Sequence, residues 1–249
     1  SWDIQSIIMA VLTALTIVTT VLMGFLIYSR FKMAIRQTAV ANTESVVESA
    51  VDRLEADLLN VRQISNAVNY NIIQEYDISS QEFERQFSLL YEINTDKIQS
   101  MALYDNEGNL VAAEPLVNEK ADAGAAQQDW YRNAADEIEN IHFSSPHIQN
   151  LFEDGTYRYY WVISLSRSVD INDGEKPVSG VLLVDMKYSM IREILERINQ
   201  SSDEVYYYLC NRDGEMIYHP RQAEIDRGLL TEESGQIKEY EDGTVSYTH

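Results

Sequence analysis

A single cysteine, Cys210, in 249 residues excludes an intramolecular disulfide framework. The four histidines, His142, His147, His219 and His249, show no metal-ligand spacing, so no structural metal is expected. Basic residues are scarce. Lys and Arg number 19 against 40 Asp and Glu, and a net charge of −21 argues against binding nucleic acid or anionic lipid through a basic face. The ten glycines read mostly as turn glycines, and none forms a phosphate-cradling loop. A nucleophile elbow and a catalytic carboxylate pair are also lacking. Asp170-Ile-Asn172-Asp173-Gly174 approaches a calcium loop, but its Gly comes one residue too early and the downstream Glu is missing. No catalytic centre and no cofactor are expected.

Charge is also missing from the whole stretch between Asp3 and Arg30. Residues 7–28 are almost wholly apolar, and at about 1.5 Å per residue they span roughly 33 Å as a helix, enough to cross a bilayer. A signal peptide would have a shorter apolar core ending in small residues, whereas here Phe25, Leu26, Ile27 and Tyr28 run straight into Arg30, Phe31 and Lys32. The reading is an uncleaved membrane anchor. Arg30, Lys32 and Arg36 after the span would by charge alone hold the large domain in the cytoplasm. The chain begins at Ser1 and not at an initiator Met, so basic residues ahead of the span are expected to enter that balance, and the cue carries little weight.

What is present in quantity is apolar residues, 45 % of the chain, enough for a real core. Val40, Val47, Leu54, Val61 and Val68 recur every seven residues, and Val51, Leu58 and Ile72 fill an offset series, interrupted at Glu44 and Ser65. This seam belongs either to a stalk that pairs with its copy in a homodimer or to a long helix laid against its own domain. Asp77, Ser79 and Ser80 supply caps for a helix over 81–92.

From Ile98 the periodicity becomes that of strands. Ser100-Met-Ala-Leu-Tyr104, Asp105-Asn-Glu-Gly108 and Asn109-Leu-Val-Ala-Ala113 read as a hairpin. Val205-Tyr-Tyr-Tyr-Leu-Cys210, Asn211-Arg-Asp-Gly214 and Glu215-Met-Ile-Tyr218 repeat it, and Phe152-Glu-Asp-Gly-Thr156 is echoed by Tyr240-Glu-Asp-Gly-Thr244. Two related α+β modules are expected. The first holds a helical segment over 130–138, a strand over 157–168, a polar turn over 170–176 and a strand over 178–186. A helix over 188–199 links it to the second.

The order of anchor, long helix and two hairpin-led modules resembles the double Cache sensor architecture. Gly180-Val-Leu-Leu-Val-Asp-Met-Lys-Tyr-Ser-Met-Ile191 and Tyr206-Tyr-Tyr-Leu-Cys-Asn-Arg-Asp-Gly-Glu-Met-Ile-Tyr-His-Pro220 look like the sensor regions of YesM-type sensor histidine kinases. The resemblance implies an α+β fold: a transmembrane anchor over 1–32, a stalk helix over 33–76, a membrane-distal PAS-like antiparallel-sheet module over 77–187, and a linking helix with an incomplete membrane-proximal module over 188–249. It implies an extracellular sensor at the cell membrane, binding a small molecule and feeding a kinase beyond this stretch. A chemoreceptor or cyclic-dinucleotide synthase would share such a sensor, and an anchored protein-interaction module is the reading from a different class.

By the same resemblance the ligand lies in the distal module beside a Trp-Tyr pair, matched by Trp130 and Tyr131. Capping of the core is the alternative role for Trp130. Amino-acid-binding members carry an Arg two residues before the Trp and an Asp near the end of the last strand. Asp185 matches the Asp, but Gln128 replaces the Arg and Ala123 an upstream Tyr. Gln128 suits an uncharged polar ligand such as a sugar or amide better than a free amino acid. Tyr157, Tyr159 and Trp161 alternate with Tyr160 and line either the cavity or an ordinary sheet face. His147 completes the candidate set.

Overall fold

The computed structural model describes residues 3–115, 119–120, 124–137, 141–153, 160–174, 176–200, 206–211, 214–231, 237–240 and 243–246. Helix α1 (Ile4–Ala67) widens into a π-helical turn at Val68–Ile73 and is followed by α2 (Gln81–Glu92). By internal contacts the chain divides into Ser1–Ser49 and Ala50–His249. Within the first unit, Ile7 to Ile35 is a helix long and apolar enough to cross a membrane, none of it buried.

In the second unit the seam of α1 is spent inside the protein. Val61 and Val68 are fully buried and Ile72 nearly so, with Leu54 and Leu58 packed against the same core. Of the two roles open to this seam, the part from Leu54 onward takes the internal one. Helix α2 starts at a genuine cap, because Ser80 Oγ accepts a hydrogen bond from the Phe83 amide at 3.1 Å. Its Phe83 and Phe87 stack in the core at 5.5 Å.

Strands β1 (Ile98–Asp105), β2 (Leu110–Glu114), β3 (His142–Phe143), β4 (His147–Ile148), β5 (Trp161–Asn172) and β6 (Pro177–Lys187) form an antiparallel sheet. Its order is β2-β1-β6-β5-β3, with β4 also paired to β5. The short helix α3 (Asp129–Asp136) lies over one face, and α1 with the π turn and α2 covers the other. Hence β1 and β6 are buried on both faces, which is why they read as nearly continuous apolar runs. Strand β5 begins at Trp161 and continues to Asn172, so the turn to β6 is shorter than the sequence suggests. Long pairing with β6, from Val162 opposite Lys187 to Asn172 opposite Pro177, carries the strand through the polar residues.

Helix α4 (Ser189–Asn199) buries Ile191 and Leu195 in the same core. After it come β7 (Leu209–Cys210), β8 (Met216–Tyr218), α5 (Gln222–Asp226), β9 (Ile237–Tyr240) and β10 (Gly243–Ser246). The two hairpin turns are built alike. Asp105 N bonds Asn109 O at 3.0 Å, and Asn211 N bonds Glu215 O at 3.0 Å. The side chains of Asp105 and Asn211 accept from the backbone amides of Asn109 and Glu215, at 2.8 and 2.9 Å. Gly108 and Gly214 both sit in the left-handed region, at φ 84° and 82°. The Phe152–Thr156 echo falls mostly outside the described residues. Leu209 and Tyr218 join the core that the large sheet shares with α1 and α4.

Gly180 of β6 lies so close to its neighbours that a Cβ there would strike Ile171 Cδ1 and the Tyr104 carbonyl oxygen. Gly180→Ala should therefore destabilise the fold by about 2–3 kcal/mol, read from denaturant melts of the full chain in detergent micelles. An unchanged midpoint would contradict the packing described.

Candidate functional site

Register and alternation define the sheet face under α3. Ser100, Asp185 and Ser164 form one row across β1, β6 and β5, because Asp185 is the register partner of both serines. The next row is Ala102, Leu183 and Ser166, and the row beyond is Tyr104, Val181 and Ser168. Apolar Met186, Val184 and Leu182 alternate with these and face the stalk side.

Asp185 is 1 % exposed, yet it is well supplied with donors. Ser100 Oγ donates to its Oδ2 at 2.9 Å and Ser164 Oγ to its Oδ1 at 2.5 Å. Burial raises the pKa of the carboxyl above its ordinary value, opposed by the two serine hydrogen bonds and the His147 charge. His147, on β4, reaches Ser164 Oγ with Nε2 at 3.3 Å.

Helix α3 is tied to this face at two points. Ser166 Oγ donates to the Trp130 carbonyl at 2.9 Å, and Tyr131 Oη donates to the Asp105 carbonyl at 2.6 Å. Beneath, Gly108 approaches the short turn Ala125–Gln127 so closely that a Cβ would stand 2.6 Å from the Ala126 Cβ. Trp130 lies over Tyr104 with ring centroids 5.4 Å apart and meets Tyr131 edge-on at 5.8 Å. Gln128 Oε1 accepts from the Trp130 indole N–H at 3.0 Å, so this glutamine orients the tryptophan.

Tyr104 is fully buried, and among the described residues its hydroxyl has only the Glu119 carboxylate close to it, outside good hydrogen-bond geometry. Burial raises its pKa, with the carboxylates of Glu119 and Asp185 adding to the effect. A buried hydroxyl without a well-formed hydrogen bond is uncommon and costly, and the ring that carries it packs against Trp130 of α3.

Of the residues singled out in the sequence, Asp185, His147, Trp130, Tyr131 and Gln128 come together around this face. Trp161 does not. Its neighbour Val162 shares the α3 side with Ser164, so Trp161 turns to the opposite face, where it is 51 % exposed and packs near Tyr188 at 6.2 Å. Tyr157, Tyr159 and Ala123 lie outside the described residues. Sequence reasoning missed Tyr104, Ser100 and Ser164. The alternation of Ser164, Ser166 and Ser168 with apolar Ile163 and Leu165 was the available signal for a polar inner face. An apolar groove also runs along the N-terminal helix, lined by Ile17, Val18, Val21, Leu22 and Phe25, and it offers no polar group to a ligand.

The family model of the Cache domain matches residues 31–249. The chain belongs to the Cache domain family. Solved structures with this fold include the ligand-binding domain of the Pseudomonas fluorescens chemoreceptor CtaA in complex with L-serine. It is 18 % identical with a TM-score of 0.53, the match covering 71 % of this chain and 70 % of that one. The ligand-binding domain of the Pseudomonas aeruginosa PAO1 amino acid chemoreceptor PctC, in complex with GABA, is 17 % identical with a TM-score of 0.56, covering 75 % and 76 %. The ligand-binding domain of Mlp24 with asparagine is 15 % identical with a TM-score of 0.56, covering 81 % and 83 %. No curated protein matches the chain. At these identities the likeness to solved structures speaks for the Cache fold.

The raised Asp185 pKa has a definite sign in stability. Above the ordinary carboxyl value of 3.8 the unfolded chain releases this proton while the folded chain retains it, so the folded state loses ground as pH rises. Asp185→Asn lacks that loss. Its melting temperature relative to the native chain should climb as pH rises above the ordinary carboxyl value of 3.8. A difference that stays flat or falls would show that the buried carboxyl does not hold its proton.

Proposed function

We propose that this Cache domain is the extracellular ligand-sensing region of a membrane-bound receptor, anchored by the apolar helix Ile7–Ile35. A small polar molecule binds between α3 and the sheet, with Trp130, Tyr131 and Tyr104 as aromatic walls and Asp185 and His147 as polar contacts. The observation that carries this reading is the Tyr104 hydroxyl, fully buried beside Trp130, with no well-formed hydrogen bond among the described residues and only the Glu119 carboxylate near it. A ligand supplying a well-aligned hydrogen bond there relieves the cost of a poorly satisfied buried polar group. Gln128 brings no positive charge to the site, which favours a sugar, an amide or another ligand recognised without a carboxylate clamp.

The output is that of a sensor histidine kinase, as the likeness of residues 180–191 and 206–220 to YesM-type sensors supports. A chemoreceptor output is the second reading, favoured by the ligand-binding domains that share the fold. The domain joined to this one in the parent gene separates the two. Because the seam of α1 from Leu54 onward is occupied internally, a homodimer contact would rest on the helix before it.

Thermal-shift screening of the full chain in detergent micelles against sugars, amides, amino acids, amines and nucleosides tests the binding site. One class should raise the melting temperature in a concentration-dependent way. Trp130→Ala should abolish the shift, and Tyr104→Phe should weaken binding about tenfold. A stabilising compound whose effect survives both substitutions would move the site elsewhere, and failure of every class would leave the reading without support.

A further inference from the structure

The α3 face carries a chain of hydrogen bonds whose protons can be counted. His147 Nδ1 lies 2.9 Å from the Ser145 carbonyl oxygen, which can only accept, so Nδ1 carries a proton. Ser144 Oγ is 3.2 Å from the same nitrogen, and it donates its own proton to the Ser145 carbonyl at 3.0 Å. It therefore accepts from Nδ1 as well. On the other side of the ring, Nε2 is 3.3 Å from Ser164 Oγ, which is itself 2.5 Å from Asp185 Oδ1.

Ser164 has one hydroxyl proton for two neighbours. If that proton points to Asp185, Nε2 must bring its own, and the pair is a carboxylate and an imidazolium. If it points to Nε2, Asp185 must be the neutral acid. Both arrangements contain the same number of protons. Were both groups deprotonated, Ser164 could serve only one of them, and the Nε2 contact would open.

We propose that Asp185, Ser164 and His147 share one proton as a relay, with His147 the positioning residue that sets the charge of the carboxylate beneath α3. In passing from one arrangement to the other, the Oδ1–H bond breaks as a bond from that proton to Oγ forms. The original Oγ–H bond breaks as Nε2–H forms, and nothing is gained or lost. A ligand that donates to Asp185 favours the carboxylate form and leaves the imidazolium on His147.

The ring also sits at a junction. Ser145, which holds Nδ1 through its carbonyl, donates from its hydroxyl to Glu215 Oε2 at 2.7 Å, on the turn of the second hairpin. The position of His147 is thus felt beyond the large sheet. Other ionisable groups lie on or beside this face, and of these Tyr104 feels the Asp185 carboxylate. Tyr104 and Glu119 lie near one another, and His142 on β3 is 3.9 Å from Glu137 Oε2. Lys187, two residues beyond Asp185, is held by the Thr95 carbonyl at 2.5 Å. The role in signalling rests on the ligand reading above, whereas the relay itself does not.

A mutant cycle on the full chain in detergent micelles tests it without any ligand. Asp185→Asn, His147→Gln and the double variant are compared in the native background and in Ser164→Ala by denaturant melts. In the native background the two substitutions should be coupled by about tenfold in the unfolding constant near neutral pH. The coupling should vanish in strong alkali and in the Ser164→Ala background. Additive effects in the native background, or coupling that survives removal of Ser164, would overturn the relay. If the double variant fails to fold, amide exchange of Ser164, whose N–H donates to Ser144 Oγ at 2.9 Å, decides. Protection lost at high pH in the native chain but pH-independent in His147→Gln supports the relay, and identical profiles in the two chains refute it. Because no ligand enters, this outcome is independent of the thermal-shift screen.

Discussion

From Gly180 to Met186, strand β6 has no side that faces water, since α1 and α2 cover one face of the sheet and α3 the other. Everything polar in its middle must therefore be answered from within the protein. An isolated carboxylate in such a place would cost several kcal/mol. Asp185 persists because β1 and β5 each bring a serine to it in the same cross-strand row. That row, with Tyr104 four residues along β1, makes the α3 face polar, whereas Met186, Val184 and Leu182 of β6 face an apolar core on the stalk side.

The two faces are joined through β5, whose successive side chains answer to different parts of the fold. Ser164 engages Asp185 and His147, and Ser166 engages the Trp130 carbonyl. Between and beyond them, Leu165 enters the stalk-side core, while Arg167 donates to Asn66 Oδ1 at 2.6 Å and lies 5.6 Å over the Tyr70 ring. Asn66 is on α1, and Tyr70 is in the π-helical turn that follows it. A displacement of β5 caused at α3 thus meets a charged, hydrogen-bonded contact with the stalk helix. Coupling of this kind requires that the ligand bind two arrangements with different affinity.

Much of this was legible from residue order. The long apolar helix was visible as missing charge, the α2 cap as Asp77, Ser79 and Ser80, and the two hairpins as glycines following Asx-rich turns. The turns prove alike down to their hydrogen bonds because Asp105 and Asn211 bind the backbone in the same way. The start of β5 was less legible, since strand propensity of the Tyr-rich run does not say where pairing with β6 begins. Trp161 misled for a related reason: alternation fixes which residues share a face but leaves open which face is the inner one. That choice depends on the register with β6, which places Val162 and Ser164 under α3. The buried Tyr104 hydroxyl was invisible for the same cause, because one strand cannot reveal what is stacked above it.

The central claim is that the polar face beneath α3 receives the ligand. Amide exchange on the full chain, with and without a compound that raises its melting temperature, tests this most directly. The account expects added protection in α3 and in the rows of β1, β6 and β5 that hold Ser100, Asp185 and Ser164. Protection confined to the second hairpin or to the stalk, with α3 unchanged, would contradict it.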